Sequence, residues 1–433
     1  MNISMKINIT EAQLRKILFN EESNPYYDRK GSSKQPNLQK IWNLINQKQE
    51  DLQNTLFGLN KDIDELTKTK AKLYGLKRED IKIPIKLVNV GNKKLPKNVL
   101  YINLTSALAC PSYYLGLCLI RQGSCYAQRD ENQYDNTREK NISYDMMSTE
   151  LLRRYEKGDK EPMKKFFRLI ELYLQIGNAG AKNVFRKNLK VLENKLRRKV
   201  EVGSNEWNTL KIIANQYRIT DIRLNASGDF PCQLAFDLWN KFAKKVGQKY
   251  HIYVHAYTAR QLDYSNRNEY MSVMPSRKDI NIGNEPYRRF WVVSDEKYDS
   301  FKGDGETEGY GVPILRYDNS MNIWYYKCRC SKESDECGNC GVCYRRNNTG
   351  KPYTIIVRYH GQNNANGLKS AFTQDEIKKS IQQSIKLGWI TPQEVASYNS
   401  QDTQTKNANY SEKIISQRKN AEERKTKKKE KKK

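Results

Sequence analysis

Eight of the nine cysteines in the sequence fall into two short motifs. The first motif spaces three thiols with seven and then six residues between them, at Cys110, Cys118 and Cys125. The second motif gathers five thiols within residues 328–343, at Cys328, Cys330, Cys337, Cys340 and Cys343. Clustered thiolates are the usual ligands of zinc and of iron–sulfur clusters. The two motifs therefore predict that these eight cysteines bind metal.

The spacing leaves the metal open between zinc and iron. Four thiolates complete a tetrahedral zinc site, whereas an iron–sulfur cluster (4Fe-4S) binds four cysteines, or three with one iron left open to a ligand. The eight cysteines permit a three-thiol cluster with a separate second metal, or two zinc sites that share a ligand across the fold. Cys232 lies outside both motifs, before an apolar helical stretch, and we expect it to be a buried small side chain.

Polar residues at the ends of predicted strands are the other candidates for a site. Asp229 follows the strand pattern Ile219–Asn225 and could act as an acid or base, or cap the helix that begins near Pro231. A second strand pattern runs into Tyr257, Thr258 and Arg260, which we expect to contribute to cofactor binding at the loops of the strand ends. Strands that alternate with helices predict an α/β fold with mainly parallel strands, whose carboxyl ends share one edge.

The elements divide the chain into four predicted parts. Residues 1–80 form a helical segment with a heptad seam that is interrupted near Gly58, and residues 81–362 form the cysteine-rich α/β core. That core has strands over Ile81–Val90 and Leu100–Leu104 and a helical insertion at about 145–215. C-terminal helices follow over 363–398, and residues 399–433 are predicted to be a basic, disordered tail.

The charge and the hydropathy pattern restrict the partners. A formal net charge of +28 favours a polyanion such as nucleic acid, although a solvated lysine-rich surface is the alternative. The first residues lack the apolar stretch of a secretory signal peptide. We therefore expect the protein to be in a reducing compartment, where its cysteines are free thiols or metal ligands rather than disulfides. Residues 98–120 carry no charge, but their polar and helix-breaking residues predict no membrane span.

The ordered set of motifs resembles the phage gene product 88 family over roughly residues 90–362. The resemblance rests on Leu-Ala-Cys-Pro-Ser, Cys-Tyr-Ala, the pair Arg138 and Asn141, Arg-Leu-Asn-Ala-Ser-Gly-Asp-Phe, Ala-Tyr-Thr-Ala-Arg and the second cysteine motif. It implies a bacteriophage protein that acts in the cytoplasm of the host.

The first cysteine motif is also similar, more distantly, to that of radical S-adenosylmethionine enzymes. Those enzymes carry three cysteines after the first strand of a partial (β/α) barrel, although with the shorter spacing C-x3-C-x2-C. The resemblance implies a partial barrel core, with Tyr126 beside the last thiol and Ser227, Gly228 and Asp229 near the amino group of S-adenosylmethionine. It also implies that the second motif holds an auxiliary cluster.

Three hypotheses follow from the sequence. The leading one is a phage iron–sulfur protein with radical-type chemistry on an unknown substrate. The second is a zinc-stapled nucleic-acid-binding protein without catalysis. The third is a component of the virion or of a replication complex that binds other phage proteins through its N-terminal helices.

Overall fold

The computed structural model describes most of the chain between residues 36 and 395. The described residues are 36–91, 98–106, 108–115, 127, 131, 134–215, 217–225, 228–275, 288–293, 295–309, 311–329, 340–343, 352–358 and 374–395. The predicted tail over 399–433 and the first 35 residues lie outside these ranges.

Two helices open the described chain, α1 (Pro36–Phe57) and α2 (Glu65–Leu73). The carboxylate of Asp64 accepts a hydrogen bond from the N–H of Leu66 at 2.9 Å, and this cap begins α2. Leu52 and Leu56 of the predicted seam are fully buried and belong to the main hydrophobic core. The predicted helix pair with a break near Gly58 is confirmed, but the seam is buried only in part, because Leu59 lies in the break and is 88% exposed.

The strand predicted over Ile81–Val90 is wrong except at its end, where β1 covers Asn89–Val90. The preceding backbone pairs with glutamine side chains of α1 instead of with a neighbouring strand. Gln49 Nε2 donates to the carbonyl of Pro84 at 3.0 Å, and the N–H of Ile83 donates to Gln53 Oε1 at 2.7 Å. Because these side chains satisfy the backbone groups, alternating apolar residues here need no strand ladder.

The main sheet is formed by five strands in sequential order. After β1 these are β2 (Val99–Ile102), β3 (Asp221–Leu224), β4 (Tyr253–Thr258) and β5 (Met271–Pro275). β1 is antiparallel to β2, and the other neighbours are parallel. Leu100, Ile222, Val254 and Met271 align across the sheet, and all four are fully buried. The prediction of an α/β fold with mainly parallel strands is confirmed.

Helices fill the connections from β2 to β3 and from β3 to β4, whereas residues 259–270 join β4 to β5 without a helix. The helices are α3 (Pro111–Tyr114), α4 (Asp135–Glu156), α5 (Glu161–Leu196) and α6 (Asn205–Asn215) before β3, and α7 (Gln233–Tyr250) between β3 and β4. Phe167 of α5 stacks on Phe242 of α7 with ring centroids 4.5 Å apart, and Phe166 meets Trp239 edge-on. Aromatic packing therefore fixes α5 alongside α7.

A second sheet follows the first along the chain. The remaining elements are β6 (Arg288–Val293), α8 (Asp295–Ser300), β7 (Thr307–Gly309), β8 (Val312–Pro313), β9 (Arg316–Asp318), β10 (Ile323–Lys327), β11 (Tyr353–Arg358) and α9 (Gln374–Lys386). The sheet has the order β6-β11-β10-β9, with β6, β11 and β10 parallel. The two sheets are in contact where β5 lies against β6. At this junction the ring centroids of Tyr257 and Phe290 are 5.0 Å apart.

The C-terminal segment packs back onto the first half of the chain. Ser380 of α9 donates to the carbonyl of Leu108 at 2.8 Å, and Gln383 donates to the carbonyl of Leu66 at 2.8 Å. Ile390, beyond α9, is buried against Leu115 at the end of α3. This segment therefore covers the start of the first cysteine motif. In the stretches that are described, every helix is too short or too polar to cross a membrane.

Candidate functional site

The carboxyl ends of β2, β3 and β4 lie side by side because these strands are parallel neighbours in the sheet. The loops that leave them carry buried polar residues. Thr105 follows β2, Asp229 follows β3, and Thr258 ends β4, and each is at most 3% exposed. This edge of the main sheet is the candidate site.

Asp229 joins the three loops through hydrogen bonds. Its Oδ2 accepts from the Ser112 hydroxyl at 2.5 Å and from the N–H of Ala259 at 2.8 Å, and its Oδ1 accepts from the N–H of Phe230 at 2.7 Å. The N–H of Asp229 donates to Thr105 Oγ1 at 3.2 Å. One carboxylate therefore fixes the loops after β2, β3 and β4 relative to one another.

The predicted capping role for Asp229 is wrong, because its oxygens bind these loops and α7 starts at Gln233 without a side-chain cap. Burial raises the pKa of the Asp229 carboxyl above its ordinary value, against the lowering effect of the donors from Ser112, Thr258, Ala259 and Phe230. A carboxyl with a raised pKa can hold a proton at higher pH than an exposed aspartate. The predicted acid or base role is chemically compatible with this environment.

Gly228 is the close-contact point between the loops of β2 and β3. Its backbone has φ +80°, in the left-handed region that favours glycine. A Cβ added at Gly228 would lie 2.1 Å from Thr105 Oγ1 and 2.6 Å from the carbonyl oxygen of Thr105. The loops can approach this closely only because residue 228 lacks a side chain.

The residues predicted at the end of β4 have different environments. Thr258 Oγ1 accepts from the N–H of Arg260 at 3.0 Å and from the hydroxyl of Tyr264 at 3.3 Å. The buried guanidinium of Arg260 donates to the carbonyl of Trp389 at 2.8 Å and therefore holds the C-terminal segment. Tyr257 points instead toward the second sheet, where Phe290 packs on it, and the guanidinium of Arg223 lies 5.0 Å from its ring.

The first cysteine motif begins at this same edge. Cys110 is buried and immediately precedes α3, two residues before the Ser112 that binds Asp229. The structure thus brings Cys110 and Asp229 together, although 119 positions separate them in the chain. The other predicted residues of this region lie outside the described residues, namely Cys118, Cys125, Tyr126 and Ser227.

The second cysteine motif lies at the carboxyl end of β10. Cys328 directly follows this strand, and its N–H donates to the carbonyl of Ile356 in β11 at 2.8 Å. Cys328 and Cys340 are buried in one hydrophobic cluster, and Cys343 packs against it. The hydroxyl of Tyr326 lies 3.1 Å from the Cys340 sulfur. Cys330 and Cys337 lie outside the described residues.

Cys232 lies beside the candidate site but in an apolar setting. Burial raises the pKa of its thiol to about 11, and the side chain makes no capping hydrogen bond to α7. A thiol with this pKa is protonated near neutral pH and is a poor nucleophile and metal ligand. The environment agrees with the expected role of a buried small side chain.

A buried ion pair that was not predicted from the sequence connects to the loop after β2. Lys70 Nζ donates to Asp145 Oδ1 at 2.7 Å and lies 4.2 Å from the centre of the Trp389 ring. The Tyr74 hydroxyl donates to Asp145 Oδ2 at 2.5 Å and lies 2.6 Å from the Ser106 hydroxyl. Burial lowers the pKa of Lys70 and raises that of Asp145.

A second buried series of hydrogen bonds reaches the same loop after β2. Asn103 Nδ2 donates to Asn141 Oδ1 at 2.7 Å, and Asn141 Nδ2 donates to Glu131 Oε1 at 2.8 Å. Asn141, Asp145 and Thr149 are spaced by four residues and share one face of α4. The helical spacing of these polar residues is visible in the sequence, but it does not by itself distinguish a buried polar face from a solvated one.

Asn225 is a buried residue at this edge whose side-chain amide is unsatisfied at both its oxygen and its nitrogen among the described residues. It follows β3 with φ +56°, held by a hydrogen bond from its N–H to the carbonyl of Ile102 at 3.1 Å. The side chain is only 3% exposed, yet neither its amide oxygen nor its amide nitrogen has a hydrogen-bond partner within the described ranges. A buried unpaired amide costs about 1–3 kcal/mol. This cost indicates a polar group that a bound ligand or water would satisfy.

A narrow apolar cleft, with room for little more than a water-sized group, lies beside the edge. Leu104 after β2 and Pro231 before α7 form one side of it, and Phe166 and Trp239 lie among its other lining residues. The cleft lies next to the loop that contains Asp229, so its apolar side chains lie close to the buried polar groups.

Within the part of the chain that is described, no three cysteine, histidine, aspartate or glutamate side chains form a group that could hold a metal ion. A scan against protein-family models, a search of curated proteins and a search of solved structures each find no significant match. The function proposed below therefore rests on the residues of this chain.

Proposed function

We propose that this chain is a metalloenzyme whose first cysteine motif holds an iron–sulfur cluster over the carboxyl edge of the main sheet. The observation that carries the proposal is the position of Cys110, which enters its motif from the end of β2 and lies two residues from the partner of Asp229. Carboxyl edges of parallel sheets are where α/β proteins bind ligands. The position of Cys110 therefore supports a reactive centre at this edge.

The residues present fit such a group. Cys110, Cys118 and Cys125 would supply three thiolates, which leaves one iron open to a ligand. The unpaired amide of Asn225 offers a donor and an acceptor for a polar ligand at the same edge. The resemblance to radical S-adenosylmethionine enzymes makes S-adenosylmethionine the first ligand to test. When bound, the cluster would supply one-electron chemistry.

The protein groups have three roles in this proposal. Asp229 fixes the loops after β2, β3 and β4, and its raised pKa suits it to hold a proton near the reacting atoms. Gly228 permits the close approach of two of these loops. The buried apolar side chains of Leu104, Phe166 and Trp239 would shield the polar groups of this edge from water.

The fold and the second motif extend the proposal. The sequential parallel strands β2 to β5, followed by β6 in contact with β5, support a partial (β/α) barrel formed by the two sheets together. We assign Cys328, Cys330, Cys337, Cys340 and Cys343 to an auxiliary metal site at the end of β10. The family resemblance favours action in the cytoplasm of a phage-infected host.

Anaerobic purification followed by metal analysis, sulfide analysis and visible spectroscopy tests the proposal. We expect iron with acid-labile sulfide and an absorption band at roughly 400 nm, the region of sulfide-to-iron charge transfer. Binding of S-adenosylmethionine to the loaded protein, measured by calorimetry, tests the ligand. A colourless protein that contains only zinc would contradict the proposal that this chain is an iron–sulfur enzyme.

A zinc-stapled binding protein is the second candidate. Burial of Cys328 and Cys340 in a hydrophobic cluster favours it, because a structural zinc site is closed and replaces apolar core. In that case both motifs stabilise the fold, and the excess positive charge serves to bind nucleic acid. A protein of the virion or of a replication complex would have to bind its partners through other surfaces, because Leu52 and Leu56 of α1 are buried inside the chain.

A further inference from the structure

The second half of α5 carries an exposed row of basic side chains. Residues 181–199 contain eight lysines and arginines and a single acidic residue, Glu193. The exposed cations of the helix itself are Lys182, Arg186, Lys187, Lys190 and Lys195. We call Lys182, Arg186 and Lys190, which are four residues apart and share one face, the basic stripe. The stripe spans about 12 Å at the helical rise of 1.5 Å per residue.

The first half of the same helix is charge-balanced. Lys164 pairs with Glu161, Lys165 lies 3.0 Å from the carboxylate of Asp51, and Arg168 lies 3.4 Å from that of Glu171. Among the described residues, the side chains of the basic stripe have no carboxylate partner. The contrast within one helix shows that the uncompensated charge is local to its second half.

This arrangement opposes the stability of the isolated helix. Like charges four residues apart repel each other, which applies to Lys182 with Arg186 and to Arg186 with Lys190. The favourable effect of cations on the helix dipole is confined to the last turn, so it does not reach the stripe. A polyanion that binds along the stripe would remove the repulsion.

The stripe lies away from the candidate site. α7 runs from the carboxyl edge at Cys232 toward the start of β4, and α5 lies along it through Phe167 with Phe242 and then Glu171 with Lys245. The second half of α5, which carries the stripe, extends past the contacts of the helix with α7 at Phe167 and Glu171. A ligand on the stripe would therefore bind independently of the cysteine loop.

We infer that the basic stripe binds the phosphate backbone of a nucleic acid. Evenly spaced cations on one exposed helix face match a linear array of phosphates, and the net charge of the chain would accelerate the encounter. The inference depends neither on whether the cysteines bind iron or zinc nor on whether the chain is an enzyme or a binding protein. Its failure would leave the metal centre untouched.

The test measures binding of fluorescein-labelled DNA, single-stranded and duplex, to the full chain across a salt series. In the variant Lys182→Gln/Arg186→Gln/Lys190→Gln we expect duplex affinity at low salt to fall roughly tenfold or more, and the log–log salt slope to decrease by about 3. The matched control is Lys241→Gln/Lys244→Gln/Lys378→Gln, which removes the same charge from exposed lysines of α7 and α9. The control should keep the wild-type slope within about one.

Three results would overturn the inference. Equal losses in both variants would show that only net charge matters. An unchanged affinity in the stripe variant would assign binding elsewhere, including the basic residues after 411. Binding of anionic phospholipid vesicles through the stripe, with no binding of either DNA, would assign it to a membrane surface. Circular dichroism of both variants verifies that α5 remains folded.

Discussion

At the scale of single residues, the sequence placed Asp229 at a strand end but could not identify its partners. Ser112, Thr105 and Ala259 come from loops that are up to 124 residues away, and only the order of the strands brings them together. The same holds for Asn225, whose unpaired amide is visible only once burial is known. Motifs can therefore identify candidate residues, whereas their roles depend on long-range contacts.

The close contact at Gly228 gives a prediction with an internal control. Gly228→Ala should lower the free energy of unfolding by roughly 2–4 kcal/mol, because the added Cβ would clash with Thr105 in a left-handed backbone. Gly158→Ala, at φ +92° with no atom within 4 Å of the added Cβ, should cost only about 1 kcal/mol. Urea unfolding of both variants measures the difference, and equal costs would refute the steric role of Gly228.

The raised pKa of Asp229 predicts a pH dependence. Its folded pKa lies above the ordinary value of 3.8, so the folded state binds this proton more tightly than the unfolded chain does. The resulting stability is fully present below the unfolded pKa and is lost as pH rises through the folded pKa. Asp229→Asn removes this titration. The stability of the wild type relative to Asp229→Asn should therefore fall as pH rises.

Unfolding of both proteins by urea at a series of pH values measures that difference. Ser112→Ala is the control, since it removes one donor to the carboxylate and keeps the titrating group. A wild-type advantage over Asp229→Asn that grows with pH would mean that the four donors outweigh burial and lower the pKa.

At the scale of elements, periodicity predicted the helix pair of α1 and α2 and the parallel strands of the main sheet. It was wrong over residues 81–88, where glutamines of α1 satisfy the backbone. It also missed the polar face of α4, because buried polar residues resemble a solvated face in sequence. Element type follows from local pattern, but the partner of an element does not.

The buried pair between α2 and α4 predicts non-additive mutations. Lys70→Met should destabilise the protein by about 3–5 kcal/mol, because it leaves the Asp145 carboxylate buried without its cation. Lys70→Met/Asp145→Leu should recover most of that loss, since apolar groups can replace a buried ion pair. Chemical denaturation of the wild type, the two single variants and the double variant gives the coupling free energy between Lys70 and Asp145. A double variant less stable than Lys70→Met would show that Tyr74 and Thr149 depend on Asp145 more than on the charge pair.

At the scale of the whole molecule, two sheets meet at β5 and β6, and each has a cysteine motif at the carboxyl end of one of its strands. The sequence predicted the α/β class, and it left open whether the two motifs build separate sites. It could not predict that the C-terminal segment would cover the first motif, because contacts such as Ser380 with Leu108 span most of the chain. The central claim is that the first motif forms its own metal centre at the edge fixed by Asp229.

Iron and sulfide content per chain, measured after anaerobic purification of Cys110→Ser and Cys118→Ala beside wild type, tests this claim most directly. We expect both variants to lose one cluster and keep the metal of the second motif, while Cys232→Ser should keep the wild-type content because Cys232 lies outside both motifs and is buried in the hydrophobic core. Loss of all metal in Cys110→Ser would mean that the two motifs build one shared site. Wild-type protein with zinc and no iron would contradict the cluster itself.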